Sequence, residues 1–198
     1  EEYLSGRVAK GRMTQEKVDE IKARFSVTDN LEEACKDADI VIEAIIEDKQ
    51  AKMDLLSKVS KVTRPDTIIA TNSSFMVSST FKDVVDHPER LANLHYFMPA
   101  LVMKLVEVVK GEHTSQETVD KLMEFGRETG KTPALVQKEE DGFIVNNILK
   151  VIKEEAYRLV GEGVCSLEDL DKAVELGLGH PMGPFKLDDM SGIDVRYN

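Results

Sequence analysis

Several common mechanisms need residues that this sequence scarcely has. Its two cysteines, Cys35 and Cys165, stand far apart with no CxxC spacing, and its histidines number four: His87, His95, His113 and His180. No disulfide framework is expected, a Cys/His metal cluster has no obvious ligands, and a reducing, cytoplasmic-type compartment fits best. No run approaches ~18 consecutive apolar residues, and the opening "EEYLSGRVAKGRMTQEK" is charged and amphipathic, so neither a membrane span nor an export signal is expected. Basic charge is scarce as well. Against 37 acidic side chains stand 26 basic ones, a net charge of −11 spread along the chain. A protein that grips nucleic acid with a dominant basic face is therefore not expected. The pattern GxGxxG occurs nowhere; "GLGHPMG" follows a helical segment and does not open a helix after a strand, so a glycine-rich phosphate cradle cannot be argued.

What is present is 198 residues, 41% of them apolar, without repeats or low-complexity stretches. That suffices for one sizeable core or two modest ones. "TQEKVDEIKAR" reads as a helix opened by Thr14, and "FSVT" as a short strand. An alternation follows: "LEEACKDA" as a short helix, "DIVIEAII" as a fully buried strand, "KQAKMDLLSKVSKVT" as an amphipathic helix and "TIIATN" as another buried strand. Then come "MVSSTFKDVV" as a short helix, "LANLHYF" and "KLVEVVK" as strands, "SQETVDKLMEFGRETG" as a helix stopped by Gly130, and "TPALVQ" as a last strand.

Apolar strands alternating with helices indicate an α/β fold with a parallel, doubly wound sheet. From about Glu139 the pattern is helical only: "FIVNNILKVIKEEAYRLVGEG", then "SLEDLDKAVELGLG" behind the capping residue Ser166. A boundary near residue 138 separates an α/β domain, 1–138, from an all-helical one, 139–198. The chain opens in mid-helix character and stops at "SGIDVRYN" without a cap, which suggests part of a longer protein.

Ligands of open α/β sheets sit beyond the carboxyl ends of the strands, so polar residues there carry the interest. Glu47 follows "DIVIEAII" with Lys52 just over a turn later; this pair is either a solvated helix start or a contact for a cofactor ribose or amide. Asn72, Ser73 and Ser74 follow "TIIA" and serve either as turn caps or as hydrogen-bond partners of a substrate oxygen, or as both. His95 closes "LANL", and Glu107 lies on the next apolar run with Pro99 between them. A lone buried histidine is usually a satisfied core residue. A carboxylate on one ring nitrogen, however, fixes the tautomer and raises the basicity of the other, which makes a general base. His87, His113 and His180 read as exposed or capping, and the cysteines as small core or surface residues.

Six segments together resemble the L-3-hydroxyacyl-CoA dehydrogenase family, including the 3-hydroxybutyryl-CoA dehydrogenases: "DADIVIEAIIED", "IIATNSS", "LANLHYFMPALVMKLVEVV", "TSQETVDKLMEFGRETGKTP", "DGFIVNNIL" and "GLGHPMGPFKLDDMSGID". They occur in the family's order and close to its spacing. The resemblance implies a Rossmann-like domain followed by a helical domain that forms homodimers, with NAD as cofactor and a (S)-3-hydroxyacyl-CoA, of short chain, as substrate. It implies that His95 is the catalytic histidine, Glu107 its acid, Ser74 the serine that contacts the substrate's 3-oxygen and the nicotinamide region, and Asn146 the active-site asparagine. Glu47 and Lys52 match positions that contact NAD, and "SGRVAKGRM" places Lys10 or Arg12 near the CoA phosphates. Two further readings are a dehydrogenase part of a multifunctional hydratase/dehydrogenase and a non-catalytic relative kept for its fold.

Three departures from the family pattern stand out. Met98 replaces an asparagine in "HYFMP", which removes a polar contact. Asp141 replaces the proline before "GF", which loosens a turn and adds charge beside the hinge. The family's first βαβ unit, with its glycine fingerprint, precedes residue 1, so the chain as given is expected to lack the pyrophosphate site and the ordinary way of binding NAD.

Overall fold

The computed structural model describes residues 2–191, so the part of "SGIDVRYN" after Ser191 lies outside the described residues. Two helices come first, α1 (Glu2–Ala9) and α2 (Gln15–Ala23), the second capped by Thr14, whose hydroxyl accepts the Lys17 N–H. The expected strand at 25–28 does not form. It finds no partner among the described residues, and Phe25 and Val27 stay exposed in an irregular segment. A strand without a neighbour has no ladder to satisfy its backbone.

Helix α3 (Leu31–Cys35) leads to β1 (Ile40–Glu43), then α4 (Lys49–Val62) and β2 (Ile68–Thr71). β1 is shorter than "DIVIEAII" suggests, and only its last residue is buried. It stands at the edge of the sheet, and it ends where the Glu43 carboxylate takes the Ile45 N–H at 2.7 Å. The helix expected over 76–85 is instead two 3₁₀ turns, Ser78–Thr80 and Lys82–Val84. Side chains from elsewhere claim the N–H groups there: Asn93 Oδ1 accepts from Ser78 N, and Glu139 Oε1 from Ser79 N.

Strands β3 (Leu91–Tyr96) and β4 (Leu105–Val109), helix α5 (Gln116–Glu128) and strand β5 (Thr132–Val136) complete the sheet, whose order is β1-β2-β3-β4-β5. Pairings are parallel except between β3 and β4, which run antiparallel. The all-parallel expectation fails at this one joint because the short segment 97–104 is a hairpin connection, too short for the crossover that a parallel pair requires.

Alternation along the strands makes two cores. Ile68, Ala70, Ala92, Leu94, Val106 and Val108 pack under Val119 and Leu122 of α5. On the opposite face, Ile69 and Leu91 pack with Leu56 and Val59 of α4 and with Phe81 and Val85. Helices α6 (Val145–Gly161), α7 (Leu167–Gly177) and α8 (Pro184–Ser191) follow the sheet, with Ser166 capping α7 as its position suggests. Among the described residues, no helix is long and apolar enough to cross a membrane.

Candidate active site

The period of two along β3 puts His95 on the face opposite the α5 core, and Glu107 of β4 is its direct partner across the antiparallel ladder. Two side chains in such register on one face are in contact by construction. His95 Nδ1 lies 2.9 Å from Glu107 Oε2, and Nε2 lies 3.1 Å from the Ser74 hydroxyl. Because the carboxylate only accepts, Nδ1 carries the hydrogen and Nε2 offers its lone pair to Ser74 in the neutral ring. Phe97 meets the imidazole edge-on at 4.6 Å between ring centres, and Phe143 tilts over it at 5.3 Å. His95 is 3% exposed and Glu107 0%.

Glu107 Oε1 has partners of its own, the backbone N–H groups of Ile144 at 3.1 Å and Val145 at 3.0 Å. Burial pushes this carboxyl upward, but hydrogen bonds from His95 and from Val145 and Ile144, with the imidazole charge, outweigh it and hold the group below the usual range. Glu107 is therefore an anion aimed at the imidazole.

Next to the Ser74 hydroxyl lies a cleft of about 250 Å³ lined by Ala44, Ile45, Glu47, Lys52, Asn72, Ser74 and Phe75. Sequence reasoning left Glu47 and Lys52 between a solvated helix start and a ligand contact. Glu47 is half-exposed, whereas Lys52 is 1% exposed, one of the largest fully buried side chains among the described residues. Its ammonium is held by Glu43 Oε1 at 2.7 Å, Glu47 Oε2 at 3.2 Å and the Ile45 carbonyl at 3.4 Å. Glu43 also accepts from Thr71 Oγ1 at 2.6 Å. The Glu47 carboxyl accepts from the Ser73 hydroxyl as well; burial raises it, while Ser73 and Lys52 lower it further. Glu43 was missed, although a lone acid inside the apolar run "IVIEAII", nine residues before a lysine, was the available signal.

The two serines of "TNSS" have different partners. Ser73 caps the turn by accepting the Met76 N–H at 2.9 Å, and Ser74 faces His95. Asn72 Oδ1 accepts the Tyr96 N–H at 2.9 Å, tying β2 to β3. Asn146 is half-buried in the first turn of α6, next to Val145, and among the described residues no hydrogen bond joins it to His95 or Ser74. The neighbouring Asn147 pins the turn instead, donating to the carbonyls of Asp141 and Phe143 at 2.7 Å each. Lys10 and Arg12 are exposed after α1, and among the described residues no hydrogen bond or ion pair links them to the His95 cluster. Met98 is 83% exposed beyond β3.

Of the other histidines, His87 is exposed, but His113, expected to be exposed or capping, is half-buried beside Ser78 and Glu139. Both cysteines are free. A larger cavity of about 500 Å³, lined by Lys61, Asp86, His87 and Arg90 among others, lies at the amino ends of β2 and β3. Its Arg90 is spent on structure. The guanidinium donates to the Asp86, Arg64, Thr67 and Ser60 carbonyls and to the Thr63 and Ser60 hydroxyls, leaving none of its N–H groups for a ligand.

Known proteins resemble the chain along its whole length. The family model "3-hydroxyacyl-CoA dehydrogenase, NAD binding domain" matches residues 1–140, and its C-terminal domain model matches 142–198. A 3-hydroxybutyryl-CoA dehydrogenase of Clostridioides difficile is 38% identical, over 97% of this chain and 68% of its own length. A human mitochondrial hydroxyacyl-coenzyme A dehydrogenase is 42% identical over 79% of this chain and 50% of its own. The crystal structure of (S)-3-hydroxybutyryl-CoA dehydrogenase from Ralstonia eutropha superposes with a TM-score of 0.92 at 33% identity, covering 98% of this chain and 68% of that one. The chain thus spans about half to two thirds of the length of such relatives. With both domain models matched in order along its length, the chain belongs to the 3-hydroxyacyl-CoA dehydrogenase family.

Proposed function

We propose that the protein of which this chain is part oxidises (S)-3-hydroxyacyl-CoA esters to 3-ketoacyl-CoA, and runs the reverse reduction, with short-chain substrates such as 3-hydroxybutyryl-CoA. The observation that carries this reading is the Ser74–His95–Glu107 line, buried at one end and opening at the other beside the cleft at the carboxyl ends of β1 and β2. His95 Nε2 takes the proton of the 3-hydroxyl, and Glu107 stabilises the imidazolium that results. In reduction the same nitrogen returns the proton. Ser74 donates to the 3-oxygen, and Asn146, at the start of α6, orients the thioester end.

The residues lining the cleft suit the nicotinamide half of a dinucleotide. The Glu47 carboxylate accepts from ribose hydroxyls, while the Asn72 amide and the Ser74 hydroxyl match a carboxamide. Lys52 acts there through Glu47, since its ammonium is already enclosed. NAD, when bound, supplies the acceptor for the C3 hydride. Lys10 and Arg12 meet the CoA phosphates. The α/β part, 1–138, carries the cofactor side and the helical part, 139–198, the substrate side and a homodimer contact. Exposed Ile148, Val151, Leu176 and Leu178 support that contact. Two free cysteines fit a cytoplasmic location.

The test is acetoacetyl-CoA-dependent loss of NADH by the full-length protein, its His95→Gln variant and its Met98→Asn variant. His95→Gln is expected to lower turnover by ~10²–10⁴-fold. Turnover within about tenfold of wild type would remove His95 as the acid/base group. Activity in wild type makes Met98 a tuning difference. Silence there and recovery in Met98→Asn would mean a relative that has drifted from the reaction, and silence in both would favour a non-catalytic role.

A further inference from the structure

The first residues of α6 have an unusual partner. Helix α6 is 17 residues long, and the residue at its N-cap position, Ile144, provides no side-chain cap. The exposed donors of its first turn go instead to Glu107, a buried side chain of β4 that is 37 and 38 residues away in sequence. The approach depends on two consecutive left-handed residues, Gly142 at φ 79° and Phe143 at φ 54°. Phe143 has a Cβ and adopts this conformation at a steric cost, so the surroundings must hold it there. They do so twice: Asn147 Nδ2 clamps the Asp141 and Phe143 carbonyls, and the Phe143 N–H donates to the Glu140 carbonyl at 3.0 Å. The ring is buried with Val109, Val136 and Val77 and lies against His95.

We infer that the turn at residues 141–144 is a positioning element for the His95–Glu107 pair, through which the helical segment sets how strongly Glu107 acts on the imidazole. Glu107 divides its charge between Oε2, which faces His95, and Oε1, which faces two amide N–H groups at the positive end of α6. Taking away a donor at Oε1 leaves more of the charge directed at Nδ1 and favours the protonated ring. The titratable group facing Glu107 from β3 is His95; β5 offers Ala134 opposite it, and α6 offers backbone N–H groups. Phe143 and Ile144 therefore position the pair, while the proton itself moves at His95.

Ile144→Pro isolates one donor. Ile144 sits at φ −87°, close to proline's range, and follows a left-handed residue, as Pro88 follows His87 at φ 58° elsewhere in this chain. In the full-length protein, the acidic limb of kcat for 3-hydroxybutyryl-CoA oxidation should move up by at most about one pH unit, because the worth of the one hydrogen bond lost from the three to Glu107 caps what reaches the imidazole. Rate should recover at high pH, and KM for the ester should hold. Adding Ile144→Pro to Glu107→Gln should then move the limb no further, because the charge it redistributes is gone. An unmoved limb with a lower melting temperature would make the turn purely structural and overturn the inference.

The kinetic consequence rests on the dehydrogenase reading, but the coupling has a readout without turnover or mutation. In ¹⁵N-resolved spectra of the wild-type protein, the Ile144 and Val145 amides should shift with pH along the same curve as the His95 ring. Amides that do not follow the ring overturn the inference even in an active enzyme; amides that follow it in an inactive one uphold the coupling while the reaction assignment fails.

Discussion

At the scale of single residues, His113 and Glu107 affect stability in different pH windows. His113 lies among Ser78, Glu139 and Lys82; burial lowers it, Glu139 acts against that and Lys82 with it, and the net result lies below the ordinary 6.5. Such a histidine binds its proton more weakly folded than unfolded. The stability it contributes is complete above about pH 6.5 and is lost as pH falls through its depressed value. Glu107 is also depressed, so its contribution is complete above the ordinary 4.5 and is lost below it. Denaturant titrations from about pH 8 to about pH 2 should show the upper decline in wild type and lose it in His113→Gln, with the lower one kept. An upper decline that survives the substitution would assign it to another group. The sequence made His95, Glu107 and Ser74 legible because each stands at a strand end or inside an apolar run. His113 was misread, since "GEHTSQ" is polar locally and only the distant Glu139 and Ser78 bury it. Nothing local tells which carboxylate a lysine will meet, which is why Lys52 stayed open between a solvated helix start and a ligand contact.

Elements position this site chiefly through their ends. Helix α4 begins at Asp48, whose side chain accepts the Ala51 N–H at 2.7 Å, and its first turn carries Lys52 into the carboxylates of Glu43 and Glu47. Asp48→Ala should cost about 1 kcal/mol of stability, readable by urea unfolding, and should also raise KM for NADH by letting Lys52 and Glu47 drift. A loss of stability with KM unchanged would show that the buried Lys52 cluster holds itself without the cap. The helix was legible from its periodicity, but its cap, Asp48, was not singled out beside Glu47. The strand at 25–28 and the helix over 76–85 were not legible, because each depended on groups distant in sequence: a partner strand that is absent among the described residues, and Asn93 and Glu139 taking the N–H groups a helix would keep. The antiparallel turn between β3 and β4 was the most consequential surprise, since it alone sets His95 opposite Glu107.

For the molecule as a whole, the governing quantity is charge. A chain carrying −11 repels a CoA ester, whose phosphates are anionic, so productive encounter depends on a local excess of basic groups overcoming the general field. Lys10 and Arg12 are proposed to provide it, and both are exposed. Exposed charge contacts are each worth ~0.2–1 kcal/mol, so replacing both with Glu should raise KM for acetoacetyl-CoA by about 2–30-fold while kcat holds. Salt distinguishes a local contact from the general field. Added salt screens the attraction and the repulsion together, and at about 0.15 M the screening length is ~8 Å. In wild type the nearby attraction dominates and KM should rise with salt. In the Lys10→Glu/Arg12→Glu variant only repulsion remains, so KM should fall as salt is added. If both proteins show the same slope, the phosphates are held elsewhere, and the basic residues after α1 serve solubility alone.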